Sequence, residues 1–248
     1  MMLNYDVLVL ATNKSLTHTQ ARINATLHGA RIATMPSVTE EIINRCLDVD
    51  YLKLRQNSEN IYNLFKESQM VRITTKLGTS ISFTVGNSKF FGRNGGILNY
   101  SGAYGNLPEG EVSFSPSSSE GTYVVDVSFP NLGILNSPLI FRVKGGIVCD
   151  IQGEQSLVVK KRLSQAGKNA YKVAELGIGL NPKAKFSGNV LEDEKVIGSV
   201  HIATGNNLSY GGTNNIQLHL DGVISQPSIY VDRHKIMDNG IFCDSLIV

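Results

Sequence analysis

The stretch Val71-Arg-Ile-Thr-Thr75, followed by Ser80-Ile-Ser-Phe-Thr-Val85, alternates apolar and polar residues. An apolar residue at every second position is typical of a β-strand that buries one of its two faces. Leu77-Gly78 lies between the two runs and predicts a turn, so the runs should form neighbouring strands. Further short strand candidates follow to the end of the chain, and we expect a larger, β-rich domain over residues 71–248.

The residues before this point follow a different pattern. Tyr5-Asp-Val-Leu-Val-Leu-Ala11 is a nearly continuous apolar run, as expected for a buried parallel strand. A helix over residues 17–29 and a second strand over residues 30–34 are predicted next. Ser37-Val-Thr-Glu40 has the spacing of a capping box and predicts another helix start. We therefore expect an α/β fold, α+β overall, with a small α/β part over residues 1–70.

Length and composition exclude several classes of protein. The chain has 248 residues, of which 42% are hydrophobic and 18% charged, so we expect a packed core and not general disorder. Its 23 basic and 21 acidic residues give a net charge of +2. That balance argues against nucleic acid or an anionic membrane as the main partner. An apolar run of about 18 residues is absent, so a membrane span is not expected. Residues 1–11 have neither a basic region before the apolar run nor a small-residue cleavage site, so a signal peptide is not expected either.

The cysteines are Cys46, Cys149 and Cys243, which lie far apart and are odd in number. Their spacing argues against a disulfide scaffold and a cysteine-based zinc site, and it favours a cytoplasmic location. The sequence also lacks a Walker loop and the His-Glu-x-x-His, Gly-x-Ser-x-Gly and Cys-x-x-Cys motifs. Chemistry must therefore be sought in other groups of residues.

Residue types that bind metal ions gather in the second half of the chain. His219 and Asp221 stand two positions apart, which on a strand places them on the same face. His201 lies in a similar apolar segment, and Glu175 lies in an apolar run where a buried carboxylate needs a partner. Each feature has an ordinary structural explanation, and the acidic run Glu192-Asp-Glu-Lys195 would usually be a solvated turn. Their joint occurrence is what indicates a metal site.

Four motifs occur together in a fixed order: Gly105-Asn-Leu-Pro-Glu-Gly-Glu111, Ala174-Glu-Leu-Gly-Ile-Gly-Leu-Asn-Pro182, Glu192-Asp-Glu-Lys-Val-Ile-Gly-Ser-Val-His-Ile-Ala203 and His219-Leu-Asp221. In this order they resemble the motifs of the thermophilic metallo-aminopeptidases of family M29, often named leucyl aminopeptidase or aminopeptidase T. The resemblance runs from about residue 100 to the end, and the chain looks like a short bacterial member.

The resemblance implies a metal-dependent aminopeptidase, a peptide hydrolase that removes N-terminal residues through water activated by two metal ions. It implies two divalent ions (zinc, cobalt, manganese or magnesium), a peptide substrate and a homodimer. Carried over by motif, the implied metal ligands are Glu111, Glu175 as the bridging carboxylate, Glu194, His201, His219 and Asp221.

The resemblance also implies catalytic residues. Glu111 or Glu175 is the expected general base, because no other acid is comparably placed. Family members usually carry a tyrosine seven residues after the strand histidine, and this chain has Leu208 there. Tyr210, two residues further on, is therefore the expected catalytic tyrosine.

Two other functions fit the same residues. Relatives of this family include iron-dependent dioxygenases that cleave dihydroxypyridine rings. A mononuclear iron(II) site needs two histidines and one carboxylate, which His201, His219 and Asp221 would supply. The retention of Glu111 and Glu175 favours two metals instead. The third alternative is a catalytically degenerate family member, which the short N-terminal part and Leu208 favour.

Overall fold

The computed structural model of the chain describes residues 2–17, 19–86, 88–243 and 246–247. Helices and three β-sheets are mixed along the chain, so the predicted α/β fold class is confirmed. Among the described residues, every helix is too short or too polar to cross a membrane.

The helices are α1 (Gln20–Leu27), α2 (Glu40–Cys46), α3 (Tyr51–Lys66), α4 (Ser156–Ala166) and α5 (Val190–Asp193), with short 3-10 helices at Met2–Asn4, Lys168–Tyr171 and Leu208–Tyr210. The strands are β1 (Val7–Thr12), β2 (Arg31–Pro36), β3 (Met70–Thr74), β4 (Ser80–Thr84), β5 (Phe90–Phe91), β6 (Tyr104–Asn106), β7 (Glu111–Phe114), β8 (Ser118–Val125), β9 (Ser128–Phe129), β10 (Gly133–Ile134), β11 (Leu139–Lys144), β12 (Ile147–Gln152), β13 (Val173–Gly179), β14 (Val200–Gly205), β15 (His219–Ile224), β16 (Ser228–Val231), β17 (His234–Asp238) and β18 (Ile241–Phe242).

The N-terminal sheet is parallel and has the strand order β1-β2-β6. Both strands predicted in this part are present as β1 and β2, but the predicted burial of the first strand is wrong. Among the described residues β1 pairs with β2 alone, and Val7 and Val9 on its outward face are 52% and 64% exposed. Strand β6 joins this sheet from residues 104–106, and the division of the chain at residue 70 stays a prediction.

The start of α2 differs from the predicted capping box. The Thr39 hydroxyl accepts a hydrogen bond from the Ile42 backbone N–H at 3.3 Å, so Thr39 is the N-cap. Ser37 instead adopts a left-handed conformation with φ of 55°. A residue in that conformation lies outside the helix, so the capping-box prediction is wrong by two positions.

The alternating stretch that opened the sequence analysis forms the predicted strand pair. Strands β3 and β4 are antiparallel, with Ile73 opposite Ile81. They belong to a sheet of order β12-β11-β8-β4-β3-β16-β17-β18, and a second large sheet has the order β10-β9-β15-β14-β13-β7-β5. One hydrophobic cluster joins buried residues of both sheets and includes Phe65 of α3.

The second sheet brings the metal-ligand motifs together. Strands β7, β13, β14 and β15 are consecutive neighbours in it. Residues that pair directly share a face of the sheet, and so do alternate residues along one strand. The register pairs Glu111 with Gly179, Gly177 with His201, Glu175 with Ala203, Ala203 with Asp221 and Gly205 with His219. One face therefore carries the polar motif residues, while Leu176, Ile178 and Ile202 on the other face enter the core.

Candidate metal centre

The six predicted ligands come together as two adjoining groups. Glu175, His219 and Asp221 form one group, and Glu111, Glu194 and His201 form the other. Within each group the ligand atoms all lie within 4.8 Å of one another. Glu175 links the groups, because its Oε2 lies 2.9 Å from His219 Nε2 and its Oε1 lies 3.5 Å from His201 Nε2.

The orientation of His219 suits a metal ligand. Its Nδ1 lies 2.8 Å from the Asn206 carbonyl oxygen, and since a carbonyl only accepts, Nδ1 is the donor. Nε2 then faces Glu175 and Asp221, whose Oδ1 is 3.1 Å away, and its lone pair would bind a metal ion that displaces the Nε2 proton. A second hydrogen bond that fixes the tautomer in this way is typical of metal-binding histidines.

The acidic run at residues 192–195 is buried, so its explanation as a solvated turn is wrong. Helix α5 contacts the end of α2 and the backbone of residues 185–188 through its acidic side chains, and the sequence pattern does not reveal these contacts. The Arg45 guanidinium makes a bidentate ion pair with Glu192 at 2.7 to 2.9 Å. Asp193 accepts hydrogen bonds from the backbone N–H groups of Ser187 and Gly188. Because Glu192 and Asp193 are bound to the surrounding segments, the side chains of Glu194 and Lys195 face the site.

Lys195 is the functional-site residue that sequence reasoning missed. Its side chain is fully buried, and its Nζ lies 3.0 Å from Glu111 Oε1 and also contacts Glu194 Oε1. The ammonium group therefore lies between two carboxylates of the second ligand group. The one signal in the sequence is a lysine that directly follows the acidic run and precedes an apolar segment.

The electrostatics of the site favour a bound cation. Burial, opposed by Lys195 and reinforced by Glu111, raises the pKa of Glu194 to about 8. Burial resists protonation of His201, but its hydrogen bond with Glu175 and the charge of Glu111 outweigh it and raise the pKa of His201 to about 9. Both shifts express an excess of carboxylates in a buried space, which a metal ion would relieve.

A buried carboxylate oxygen supports the same conclusion. Among the described residues, Glu111 Oε2 is buried and has no hydrogen-bond partner. Buried polar groups are normally satisfied, so an orphaned carboxylate oxygen points to a missing ligand. Imidazole nitrogens and carboxylate oxygens are donors that suit divalent iron and the other borderline or hard ions. The residues present thus fit a metal cofactor.

Tyr210 lies at the site and Leu208 does not. The Tyr210 ring stacks on the His219 imidazole at 6.0 Å between centroids and meets Phe91 edge-on at 4.6 Å. Burial and the nearby charge of Glu175 raise the pKa of the Tyr210 hydroxyl. Leu208 is 46% exposed. The short 3-10 helix that carries both residues turns the tyrosine inward.

Two cavities open onto the cluster and share Tyr210 and Glu111 among their walls. The first, of about 530 Å³, is lined by Glu175, His219 and Asp221 together with the loop before α5. The second, of about 450 Å³, has more aromatic walls, formed by Phe90, Phe91, Tyr100 and Tyr104. Thr17 of the N-terminal part and Asn106 of β6 also line both cavities, so the N-terminal part helps to enclose the site.

Comparisons with known proteins distinguish the alternatives. A model of the family described as NicX, 2,5-dihydroxypyridine 5,6-dioxygenase, matches residues 1–244. The solved 2,5-dihydroxypyridine dioxygenase of Pseudomonas putida KT2440 is similar with a TM-score of 0.86 and 19% identity, over 98% of this chain and 73% of that one. AmpT of Thermus thermophilus is similar with a TM-score of 0.67 and 15% identity, over 97% and 77%. A sequence search of curated proteins found no match.

These findings correct the expected activity. The prediction of an aminopeptidase, a peptide hydrolase and protease, is wrong, because the matching family model describes a dioxygenase, an oxidoreductase. The resemblance to M29 enzymes is confirmed at the level of the scaffold, since AmpT shares the fold. The four motifs place carboxylates and histidines on one sheet face, and that arrangement alone does not specify whether water or oxygen reacts there.

Proposed function

The chain belongs to the 2,5-dihydroxypyridine 5,6-dioxygenase family, and from this we propose that it is an iron(II)-dependent dioxygenase that opens the ring of a dihydroxylated pyridine. This is the alternative that the sequence analysis left open, and the family match and the fold favour it. The homodimer expected from the M29 resemblance stays a prediction.

The observation that carries the proposal is the convergence of two imidazoles on one carboxylate. His201 and His219 reach the Glu175 carboxylate from different sides, and Asp221 lies beside His219. Two histidines and one carboxylate are the ligand set of mononuclear non-haem iron oxygenases. We assign His201, His219 and Asp221 as the iron ligands, with Glu175 as a further carboxylate between the imidazoles.

Iron(II) bound by such a set supplies the redox chemistry that lets dioxygen react with an aromatic ring. In the overall reaction one carbon–carbon bond of the ring breaks and both oxygen atoms enter the product. Because ring and dioxygen together account for every atom and electron, no additional reductant is needed.

The residues around the cluster suit a flat, polar ring. Phe91 and Tyr210 give the entrance aromatic walls, and Asn106 and Thr17 add polar groups to the same space. Thr34 donates a hydrogen bond to Asn106 Oδ1 at 2.6 Å and contacts the Thr17 hydroxyl at 2.8 Å, which holds these groups in place. The two cavities, at about 450 and 530 Å³, also have the size of small-molecule sites.

Metal analysis and oxygen uptake test the proposal together. Protein purified without chelator and loaded with iron(II) under nitrogen should hold one iron per chain. With 2,5-dihydroxypyridine it should consume one dioxygen per ring lost. His219→Ala should lose the iron, whereas His234→Ala, which changes an exposed histidine of β17, should keep it. Bound iron without oxygen uptake on this ring, or no iron uptake at all, contradicts the proposal.

A further inference from the structure

The two ligand groups are unequal, although both have the donors of a metal site. In the first group, His219, Glu175 and Asp221 face one another, and among the described residues no lysine or arginine makes an ion pair with them. In the second group, the Lys195 ammonium lies between Glu111 and Glu194. A site with six potential ligands for two ions thus carries a protein cation at one of its two positions.

We propose that Lys195 is a built-in cation that fills the second metal position and restricts this centre to a single metal ion. The inference rests on the proposed function, because it explains how a ligand set that resembles a two-metal peptidase site can serve a mononuclear oxygenase. Lys195 is in this sense a positioning residue, acting through the carboxylates that it binds.

The contacts of Lys195 support this role over an ordinary structural ion pair. A buried lysine needs compensation by opposite charge, and Lys195 meets two carboxylates that come from different elements, β7 and the turn after α5. Its ammonium forms an ion pair with Glu111 Oε1. Glu111 Oε2 has no hydrogen bond and lies 3.3 Å from His201 Nε2. Glu111 is therefore held where a second ion would bind it.

The lysine also limits the charge that the centre must balance. A second divalent ion would bring two positive charges to a position where Lys195 brings one. Because the ammonium and a metal ion would compete for the same Glu111 and Glu194 oxygens, the two cannot occupy this position together. Glu175 lies between the two positions, and His201 Nε2, 3.5 Å from its Oε1, remains available to the single iron.

Metal stoichiometry of Lys195→Met tests the inference. Methionine has a similar length and no charge, so the two carboxylates lose their cation. After equilibrium dialysis against excess Mn²⁺ and elemental analysis, wild type should hold one ion per chain and Lys195→Met two. Lys195→Met/Glu111→Gln should return to one ion, since it removes a ligand of the second position. Lys185→Met, an exposed lysine nearby, is the matched control and should hold one.

The unfolding temperature with and without Mn²⁺ tests the inference even if Lys195→Met folds poorly. Without its cation, Lys195→Met should unfold at a lower temperature in chelator than wild type, and Mn²⁺ should raise its unfolding temperature by more than it raises that of wild type. Lys195→Arg, which keeps the charge, should show no such extra rise. A merely structural lysine would leave the variant equally weak with and without Mn²⁺.

The outcomes separate this inference from the proposed function. Two Mn²⁺ ions bound by wild type, or one ion bound by a folded Lys195→Met, overturns the inference whatever the enzyme does to pyridines. If no Lys195 variant folds, the dialysis of wild type decides alone. A second Mn²⁺ ion bound by wild type would refute the inference, and a single ion bound at a large excess of Mn²⁺ would support it. If wild type binds one ion but does not cleave the ring, the inference is still supported and the proposed reaction is contradicted.

Discussion

The imidazole of His201 lies directly over Gly177, its partner across the β13–β14 pair. A Cβ atom built at position 177 would overlap the Nε2 and Cε1 atoms of the His201 ring. The strand position opposite the histidine therefore has to be glycine, and the ring uses the vacant space to bring Nε2 towards Glu175 and Glu111. This gives the first glycine of the motif at residues 174–182 a role in ligand placement.

Gly177→Ala should therefore weaken metal binding without unfolding the protein. The added methyl group displaces the His201 ring, and moving a ligand through its support typically costs roughly 10- to 100-fold in metal affinity. Gly105→Ala is the control, because a Cβ there would meet only ordinary contacts at 3.5 and 3.8 Å. Mn²⁺ titration followed by unfolding temperature measures both. Wild-type affinity in Gly177→Ala would mean that His201 is not a ligand.

Tyr210→Phe should lower the rate of ring cleavage and leave the iron content unchanged. The phenylalanine keeps the ring stacked on His219 and against Phe91, but it loses the hydroxyl, whose pKa is raised by burial and by the charge of Glu175. Loss of one positioned polar group in an active site commonly reduces the rate by roughly 10²- to 10³-fold. Steady-state oxygen uptake with parallel iron analysis measures the effect. Leu208→Ala, at an exposed neighbour, should have the wild-type rate of oxygen uptake. An equal loss of rate in both variants would show that Tyr210 has no specific role in the reaction.

Arg45→Ala should destabilise the protein by about 3 kcal/mol, because it leaves the Glu192 carboxylate in a buried place without its ionic partner. The exposed pair of Arg55 with Glu59, one turn apart on α3, supplies the control. Arg55→Ala should change the free energy of unfolding by less than about 0.5 kcal/mol. Urea unfolding of the metal-loaded variants gives both values. Similar losses would show that the Arg45 pair does not hold the acidic segment in place.

Asn181→Ala should also cost about 3 kcal/mol, because this buried amide joins three segments around the site. Its Nδ2 donates to the carbonyl oxygens of Cys46 and Glu109 at 3.2 and 2.8 Å. Its Oδ1 accepts from the backbone N–H groups of Lys183 and Ala184. Each bond contributes about 1 kcal/mol, and the backbone groups left behind are partly buried.

Urea unfolding measures the loss in Asn181→Ala, and a Mn²⁺ titration of the same variant should show weaker binding, since the Glu109 loop leads into Glu111. Asn13→Ala, at an exposed position, is the control and should lie within about 0.5 kcal/mol of wild type. An Asn181→Ala protein as stable as the control would leave the asparagine of the motif unexplained.

The sequence by itself determined the features that depend on near neighbours in the chain. The two-residue period of Val71–Val85 predicted the β3–β4 pair, and His219 and Asp221 were placed on one face by their spacing alone. The ordered motifs also indicated a metal site before any contact was known. Period and spacing act over a few residues, so they can be read without knowing the fold.

Only the tertiary structure decided what the motif residues do together. Lys195 and Glu194 are buried because Arg45, 147 residues from Glu192 along the chain, binds the same short helix from outside. Strand β1 is apolar and yet exposed, since its place at a sheet edge is set by pairing and not by composition. Burial and charge compensation depend on which distant segments pack together, and that packing places a lysine between two carboxylates that a local pattern assigns to a metal.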